Sequence, residues 1–361
     1  MRICHLTPLA RRGPWTTPEY GCGSWCLALG AEFFPYAADD LTPLEGYDLL
    51  LLHTAMGLYP RVLEVLERFA HKPAVLLLTC DAMFIDPQGF FPGFALPLKA
   101  LLDRARLAVT ETEEVGFFQA MTSTPVVHLP LPVPLEAMRS CSAQSGIWNL
   151  ESGISILLGS GFRAKKNGLA TALAFRRLRS LWAGPPGLGD PCAGNGGTVA
   201  LSRESATVRP LPAAHPAGPC PAALVFAEEP EAEREAFRLW GIEGVEVRPT
   251  CPQPDYWRRA AACGLALHLD YRRTIGRFSA ECAALGVPCI STAGATMQRA
   301  CFPDLIVEPW DVEGAATLAQ RLLRDPTFRD RVLDRAAGAL EPFDLAPSAA
   351  RFRQALARFV G

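Results

Sequence analysis

No apolar run in this 361-residue chain approaches the roughly 20 residues that a membrane-spanning helix needs. No transmembrane segment is therefore expected. The net charge of −2 gives no electrostatic footprint for non-specific nucleic-acid binding, although a local basic patch is compatible with it. Twelve cysteines are present, yet none forms a C-x-x-C pair. Cys22 and Cys26 have the closest clear spacing, and no histidine follows at a zinc-like interval, so no metal site is indicated. Cys80, Cys263, Cys282 and Cys289 fall inside apolar segments, where a free thiol behaves as a small hydrophobe. Reduced thiols and a cytoplasmic location are expected. Residues 1–6 enter a strand pattern directly, without the apolar region and cleavage site of a secretory signal.

What the chain does have is 49% hydrophobic and 20% charged residues, the composition of a globular protein able to bury sizeable cores. Its length suggests two domains. In the first half, short apolar runs at 2–7, 47–53, 74–79, 107–110 and 125–129 alternate with helical patterns at 24–29, 61–71, 96–104 and 111–121. Continuous apolar strands between amphipathic helices indicate a parallel sheet covered on both faces. The loop 8–23 is long for a strand-to-helix connection, a length that often serves function. Phe84, Phe90, Phe91 and Phe94 form an aromatic loop suited to core packing or to an apolar acceptor. Glu111 and Glu113 read as acids at the start of a helix. Pro130, Pro132 and Pro134 cannot continue any regular element and begin the passage to the second domain. The first domain is placed at 1–140 and the hinge at 141–153.

The second domain, 154–345, repeats the grammar. A strand at 154–158 leads into the glycine-rich basic loop 159–168 and a helix at 169–182. Residues 183–221, rich in Pro, Gly, Ala and Ser, read as a largely disordered surface insertion. Strands follow at 223–227, 245–247, 265–270, 289–292 and 305–309, with helices at 231–240, 255–263, 313–323 and 326–340. Residues 346–361 close the chain, with Phe352, Leu356 and Phe359 at helical spacing. The expected fold class is α/β, two Rossmann-like parallel-sheet domains facing across a cleft, with a C-terminal helix.

The stretch 271–288, YRRTIGRFSAECAALGVP, organises the second half. A loop that leaves the carboxyl end of a buried strand and opens a helix presents unpaired N–H groups and the positive end of the helix dipole. Phosphate binds well there. Gly276 lets the backbone approach a ligand, Arg272, Arg273 and Arg277 can supply charge, and Glu281 can accept from sugar hydroxyls. The plain alternative is solvated arginines and a glutamate serving its own helix.

These residues resemble the donor-binding domain of GT-B fold glycosyltransferases, in particular the large retaining family that includes sucrose synthase-like and bacterial lipopolysaccharide enzymes. In that family a glycine-rich turn and helix hold two glutamates eight apart, followed by Ala-x-x-Gly-x-Pro. Gly276, Glu281, Ala284, Gly286 and Pro288 fit the run. The resemblance implies that Glu281 binds the ribose of a nucleotide diphosphate sugar. The family's first glutamate, which contacts the donor sugar, is Arg273 here, a departure from the pattern. Arg163 and Lys166 resemble the family's diphosphate-binding pair, with Lys165 an equal candidate. Thr79-Cys80-Asp81 ends a strand where the family has His-Asp: Asp81 matches, Cys80 does not, and His53 ends the preceding strand.

The resemblance thus implies transfer of a sugar, with retention, from a nucleotide diphosphate sugar to an acceptor hydroxyl. Asp81 and His53 would line the acceptor side; Arg163, Lys166, Gly276, Glu281 and Arg273 would line the donor side. No Asp-x-Asp motif lies near these loops, so no obligatory metal is expected. The acceptor is open: a sugar, a lipid-linked sugar, a protein or, with less support, a nucleic acid. Two other readings stay in play, a sugar-nucleotide epimerase on the same scaffold and a non-catalytic nucleotide-sugar-binding relative.

Overall fold

The computed structural model describes residues 1–7, 23–54, 59–78, 92–144, 154–159, 161–162, 166–183 and 220–360. The first domain contains β1 (Ile3–Thr7), α1 (Ser24–Leu29), β2 (Glu32–Pro35), β3 (Leu49–Thr54), α2 (Tyr59–Arg68), β4 (Ala74–Leu78), α3 (Pro92–Arg104), β5 (Leu107–Thr110), α4 (Val115–Gln119) and β6 (Val126–His128). Then follow α5 (Leu135–Gln144), β7 (Ser155–Leu158), α6 (Gly168–Ala183), β8 (Ala222–Ala227), α7 (Pro230–Leu239), β9 (Val245–Pro249), α8 (Gln253–Ala261) and β10 (Leu265–His268). The chain ends with α9 (Arg277–Ala284), β11 (Cys289–Ser291), α10 (Thr296–Cys301), α11 (Val312–Arg324), α12 (Pro326–Leu340) and α13 (Leu345–Phe359).

Two wholly parallel sheets result, ordered β2-β1-β3-β4-β5-β6 and β11-β10-β7-β8-β9. The apolar runs are continuous because the central strands are buried on both faces. Side chains alternate across the first sheet: Leu50, Leu52, Leu76 and Leu78 join the core that includes Val62 and Val65 of α2, while Leu49, Leu51, Val75 and Leu77 join the one with Trp25, Phe352 and Leu356. That period of two is what an extended backbone imposes.

The second of these cores is completed by the far end of the chain. Helix α13 returns from the second domain to cover the first sheet. Phe352 is fully buried there, with its ring 5.1 Å from that of Trp25. The two crossing segments run side by side, for Val133 N donates to Phe343 O at 2.8 Å and the Asp344 carboxylate caps α13 by accepting from Leu345 N at 2.8 Å. Leu131 still packs with the first sheet, whereas Val133, Leu135 and Met138 pack with the second. Helix α5, which the sequence assignment divides between the first domain and the hinge, therefore belongs by packing to the second core.

Other differences are local. The sequence expectation has no element at Glu32–Pro35, whose mixed burial marks an edge strand, and none at α5 or α10. The expected strand at 305–309 is reduced to a single bridge from Ile306 to Ser291. Pro303 starts a 3₁₀ turn just before it, and Pro309 has no N–H to continue a ladder. The helix expected from Glu111 begins only at Val115. Cys4, Cys26, Cys141, Cys251, Cys263, Cys282, Cys289 and Cys301 are free thiols, while Cys220 is disulfide-bonded, against the expectation of reduced thiols throughout. Nearly all of the expected insertion 183–221, together with Asp81, Arg163 and the aromatic loop from Phe84 to Phe91, lies outside the described residues. Among the described residues no helix is long and apolar enough to cross a membrane.

Candidate functional site

Each sheet has a point where its chain order reverses, and in open α/β sheets ligands bind outside the carboxyl ends of the strands at that point. In the second sheet it lies between β7 and β10, neighbours that lead off in opposite directions. The residues there are packed too closely to vary. Gly159 N donates to Leu267 O at 2.9 Å, and a Cβ on Gly159 would lie 2.7 Å from the His268 ring. A Cβ on Gly168 would come within 1.7 Å of Gly161 O. Asn167 holds a left-handed φ of 53°, which asparagine tolerates better than most residues, and its Nδ2 donates to Leu269 O at 3.0 Å and Pro309 O at 2.6 Å. Asn167 thereby ties the basic loop to the end of β10.

Lys166 stands half-buried in this crevice. Burial above all, and then the charge of Lys166, pushes His268 down to about 3, so its imidazole is neutral at physiological pH. Phe162 N donates to Glu233 Oε1 at 2.6 Å, folding the loop back on α7.

The loop from β10 to α9 closes the other side. Desolvation works against ionisation of Asp270, but the hydrogen bond from Arg272, with the nearby positive charges, outweighs it and holds the carboxyl below its ordinary range. Arg272 grips it as a fork, Nε to Oδ1 at 2.9 Å and Nη2 to Oδ2 at 2.7 Å. That guanidinium is committed to structure. Gly276 caps α9 at a φ of 76°, and a Cβ there would stand 2.8 Å from Ala295 Cβ. The loop is braced from below: Thr296 N donates to Thr274 O and Met297 N to Ile275 O, each at 2.9 Å. Glu281 lies one turn into α9 and is buried.

In the first sheet the reversal falls between β1 and β3, which carry His5 and His53. Both rings are buried, with centroids 6.2 Å apart, and His5 Nδ1 is 2.9 Å from Cys26 Sγ. Burial, followed by the charge of Arg277 in the other domain, pushes His53 down to about 3. Arg277, the first residue of α9, is thus near enough to His53 to act on it electrostatically. The domains also meet at Ile275, which packs against both cores, and through Arg299 Nη2 to Glu113 Oε2 at 2.8 Å and Arg273 Nη1 to Glu114 Oε1 at 3.7 Å.

Of the residues singled out from sequence, Gly276 and Glu281 lie on the start and body of α9, Arg273 is in the loop before it, and Lys166 acts electrostatically on His268 at the end of β10. Glu113, read as a helix-start acid, reaches the second domain instead. Sequence reasoning missed His5, Asn167, His268, Asp270 and Glu114. Asn167 had a signal in its Asn-Gly step, and Asp270 in its strand-end position; the others become visible only once the strands are ordered. Among the described residues no group of three or more His, Cys, Asp or Glu is placed to hold a metal ion.

No protein-family model matches the chain, and no curated protein matches it either. Solved structures do. Sucrose-phosphate synthase from Thermosynechococcus elongatus superposes with a TM-score of 0.71 at 13% identity, covering 99% of each chain. Anabaena HepE, solved in complex with UDP and glucose, gives 0.67 at 14% identity over 99% of this chain and 100% of that one. The α,α-trehalose 6-phosphate synthase from Burkholderia multivorans gives 0.65 at 14% identity over 94% and 77%. The chain has the two-domain GT-B fold of glycosyltransferases.

Proposed function

We propose that this protein is a glycosyltransferase that moves a sugar from a nucleotide diphosphate sugar to an acceptor hydroxyl, with retention of anomeric configuration. The observation that carries the reading is the opposition of the two reversal points: Lys166, Gly276 and the start of α9 on one side, neutral His53 on the other. The likeness to HepE, whose complexes contain UDP and UDP-glucose, supports a uridine nucleotide as the first donor to try.

In this reading Glu281 accepts from the ribose hydroxyls and Lys166 faces the diphosphate beside the start of α9; Arg163, outside the described residues, is also assigned to the diphosphate. As the anomeric C–O bond breaks, its electron pair passes to the diphosphate oxygen. Fixed positive charge and aligned N–H dipoles lower the energy of that developing anion. The acceptor oxygen bonds to the anomeric carbon and gives up its proton to the departing diphosphate oxygen. His53, uncharged near neutral pH, serves as a hydrogen-bonding group on the acceptor side; Asp81, outside the described residues, is the other residue the reading assigns to that side.

A non-catalytic nucleotide-sugar-binding relative is the second reading, favoured by Arg273 in the place of a sugar-contacting glutamate. Turnover separates the two. Incubation with UDP-glucose, GDP-mannose and ADP-glucose, with and without chelator, is expected to release nucleoside diphosphate from one donor, faster when an acceptor is present. Binding without any release over many hours would favour the non-catalytic relative.

A further inference from the structure

The charged pairs along the domain seam are of two kinds. Asp270 and Arg272 form a closed fork, and Glu113 is hydrogen-bonded to Arg299 at 2.8 Å. Glu114 and Arg273 differ. Their nearest atoms are 3.7 Å apart, beyond hydrogen-bond reach. The Glu114 side chain is only 16% exposed, and its Oε2 is closed off from solvent without a hydrogen-bond partner. Arg273 is 68% exposed, with Glu114 its one ion pair among the described residues.

A carboxylate oxygen kept from water and given no donor is destabilising unless something else supplies one. Glu114 lies at the carboxyl end of β5 and reaches toward the β10–α9 loop, three residues before Gly276. If the diphosphate rests at the start of α9, the group attached to it lies between this loop and the first domain. Donors available there are the hydroxyls of that group. Carboxylates are the side chains best suited to accept from them, because hydrogen bonds to a charged acceptor are the stronger ones.

We infer that Glu114, oriented by Arg273, is the carboxylate that accepts hydrogen bonds from the hydroxyls of the donor sugar, so that the carboxylate absent at position 273 is supplied from the opposite domain. This inference rests on the proposed function above. It makes donor recognition a property of both domains together: the nucleotide is held by the second, and the identity of the sugar is read from the first. Arg273 acts as a positioning residue, its guanidinium 3.7 Å from Glu114 Oε1.

Calorimetric titration of UDP, GDP and ADP and of their glucose conjugates into the wild type, Glu114→Gln, Glu114→Ala and Arg273→Ala tests it. The nucleoside diphosphate that binds is expected to keep its affinity in both Glu114 variants within about twofold, while its glucose conjugate binds about tenfold more weakly to them, the effect of one hydrogen bond to a charged group. Glutamine is isosteric, so Glu114→Gln separates loss of charge from loss of packing. Equal weakening of nucleotide and conjugate would make Glu114 a domain latch and overturn the inference, as would unchanged affinity for both. A wild-type preference for UDP-glucuronate that is lost in Arg273→Ala and kept in Glu114→Gln would make the guanidinium the reader and also overturn it. If no nucleotide binds the wild type, the proposed function itself fails.

Discussion

Replacing Asn167 by aspartate and by alanine separates geometry from charge at the point where the basic loop is tied to β10. The Asn167 amide donates to two carbonyls, at 3.0 and 2.6 Å, from a residue with φ 53°. Alanine forfeits both bonds, at about 1–2 kcal/mol each, and holds a Cβ at positive φ for about 1 kcal/mol more, a total near 3–5 kcal/mol. Aspartate tolerates the backbone but sets a carboxylate against two carbonyl oxygens; protonation alone restores one bond. Its folded pKa is therefore raised above the ~3.9 of the unfolded chain. The folded state then holds the proton more tightly than the unfolded one. Relative to wild type, the aspartate variant is least destabilised below about pH 4 and loses stability as pH rises to its folded pKa, by up to ~1.4 kcal/mol per pH unit. Urea denaturation of all three proteins at several pH values, following the transition of the second domain, reads this directly. An aspartate curve parallel to wild type throughout, or an alanine variant within about 0.5 kcal/mol of wild type, would refute the claim that these two bonds hold the loop.

Phe352→Ala should destabilise by about 3–5 kcal/mol, because the ring is fully buried against Trp25; the loss should appear in the unfolding of the first domain, and a loss confined to the second would contradict the packing of α13. His5, His53 and His268 are buried with their pKa values held low, His53 and His268 at about 3. The unfolded chain takes up protons below ~6.5, so these histidines contribute stability above that pH and lose it progressively as pH falls toward 3. His268→Gln should make the acid limb of the stability profile shallower by about one proton, and an unchanged slope would show that His268 is not buried neutral. Gly276→Ala forces a Cβ to within 2.8 Å of Ala295 Cβ at a φ of 76°, so nucleotide affinity should fall with the displaced start of α9; an unaltered affinity would remove that loop from the site.

The parallel strands were legible because burial on both faces leaves runs such as Leu49-Leu50-Leu51-Leu52 with no polar alternation to confuse them. The terminal helix was legible from Phe352 and Leu356, but its target was not: the same apolar stripe could have covered either sheet, and only tertiary contact with Trp25 decides it. Glu32–Pro35 escaped because an edge strand needs only partial burial and carries no strong pattern. In the candidate site, Gly276 and Glu281 could be found from local order alone, strand to loop to helix. His5 and His268 could not, since a lone histidine in an apolar strand signals nothing until a second strand is set beside it. Glu114 illustrates the same limit at longer range. Its acidity suits a helix start, and only the folded chain sets it opposite Arg273.

The central claim is that a nucleotide is held at the start of α9, and the measurement that tests it most directly is calorimetric titration of UDP, GDP and ADP into the wild type and Glu281→Ala. One nucleoside diphosphate is expected to bind at a single site per chain, with affinity about tenfold or more lower in the variant, as loss of hydrogen bonds to a carboxylate requires. Binding that is absent for all three, or unchanged in a folded Glu281→Ala protein, would contradict the account.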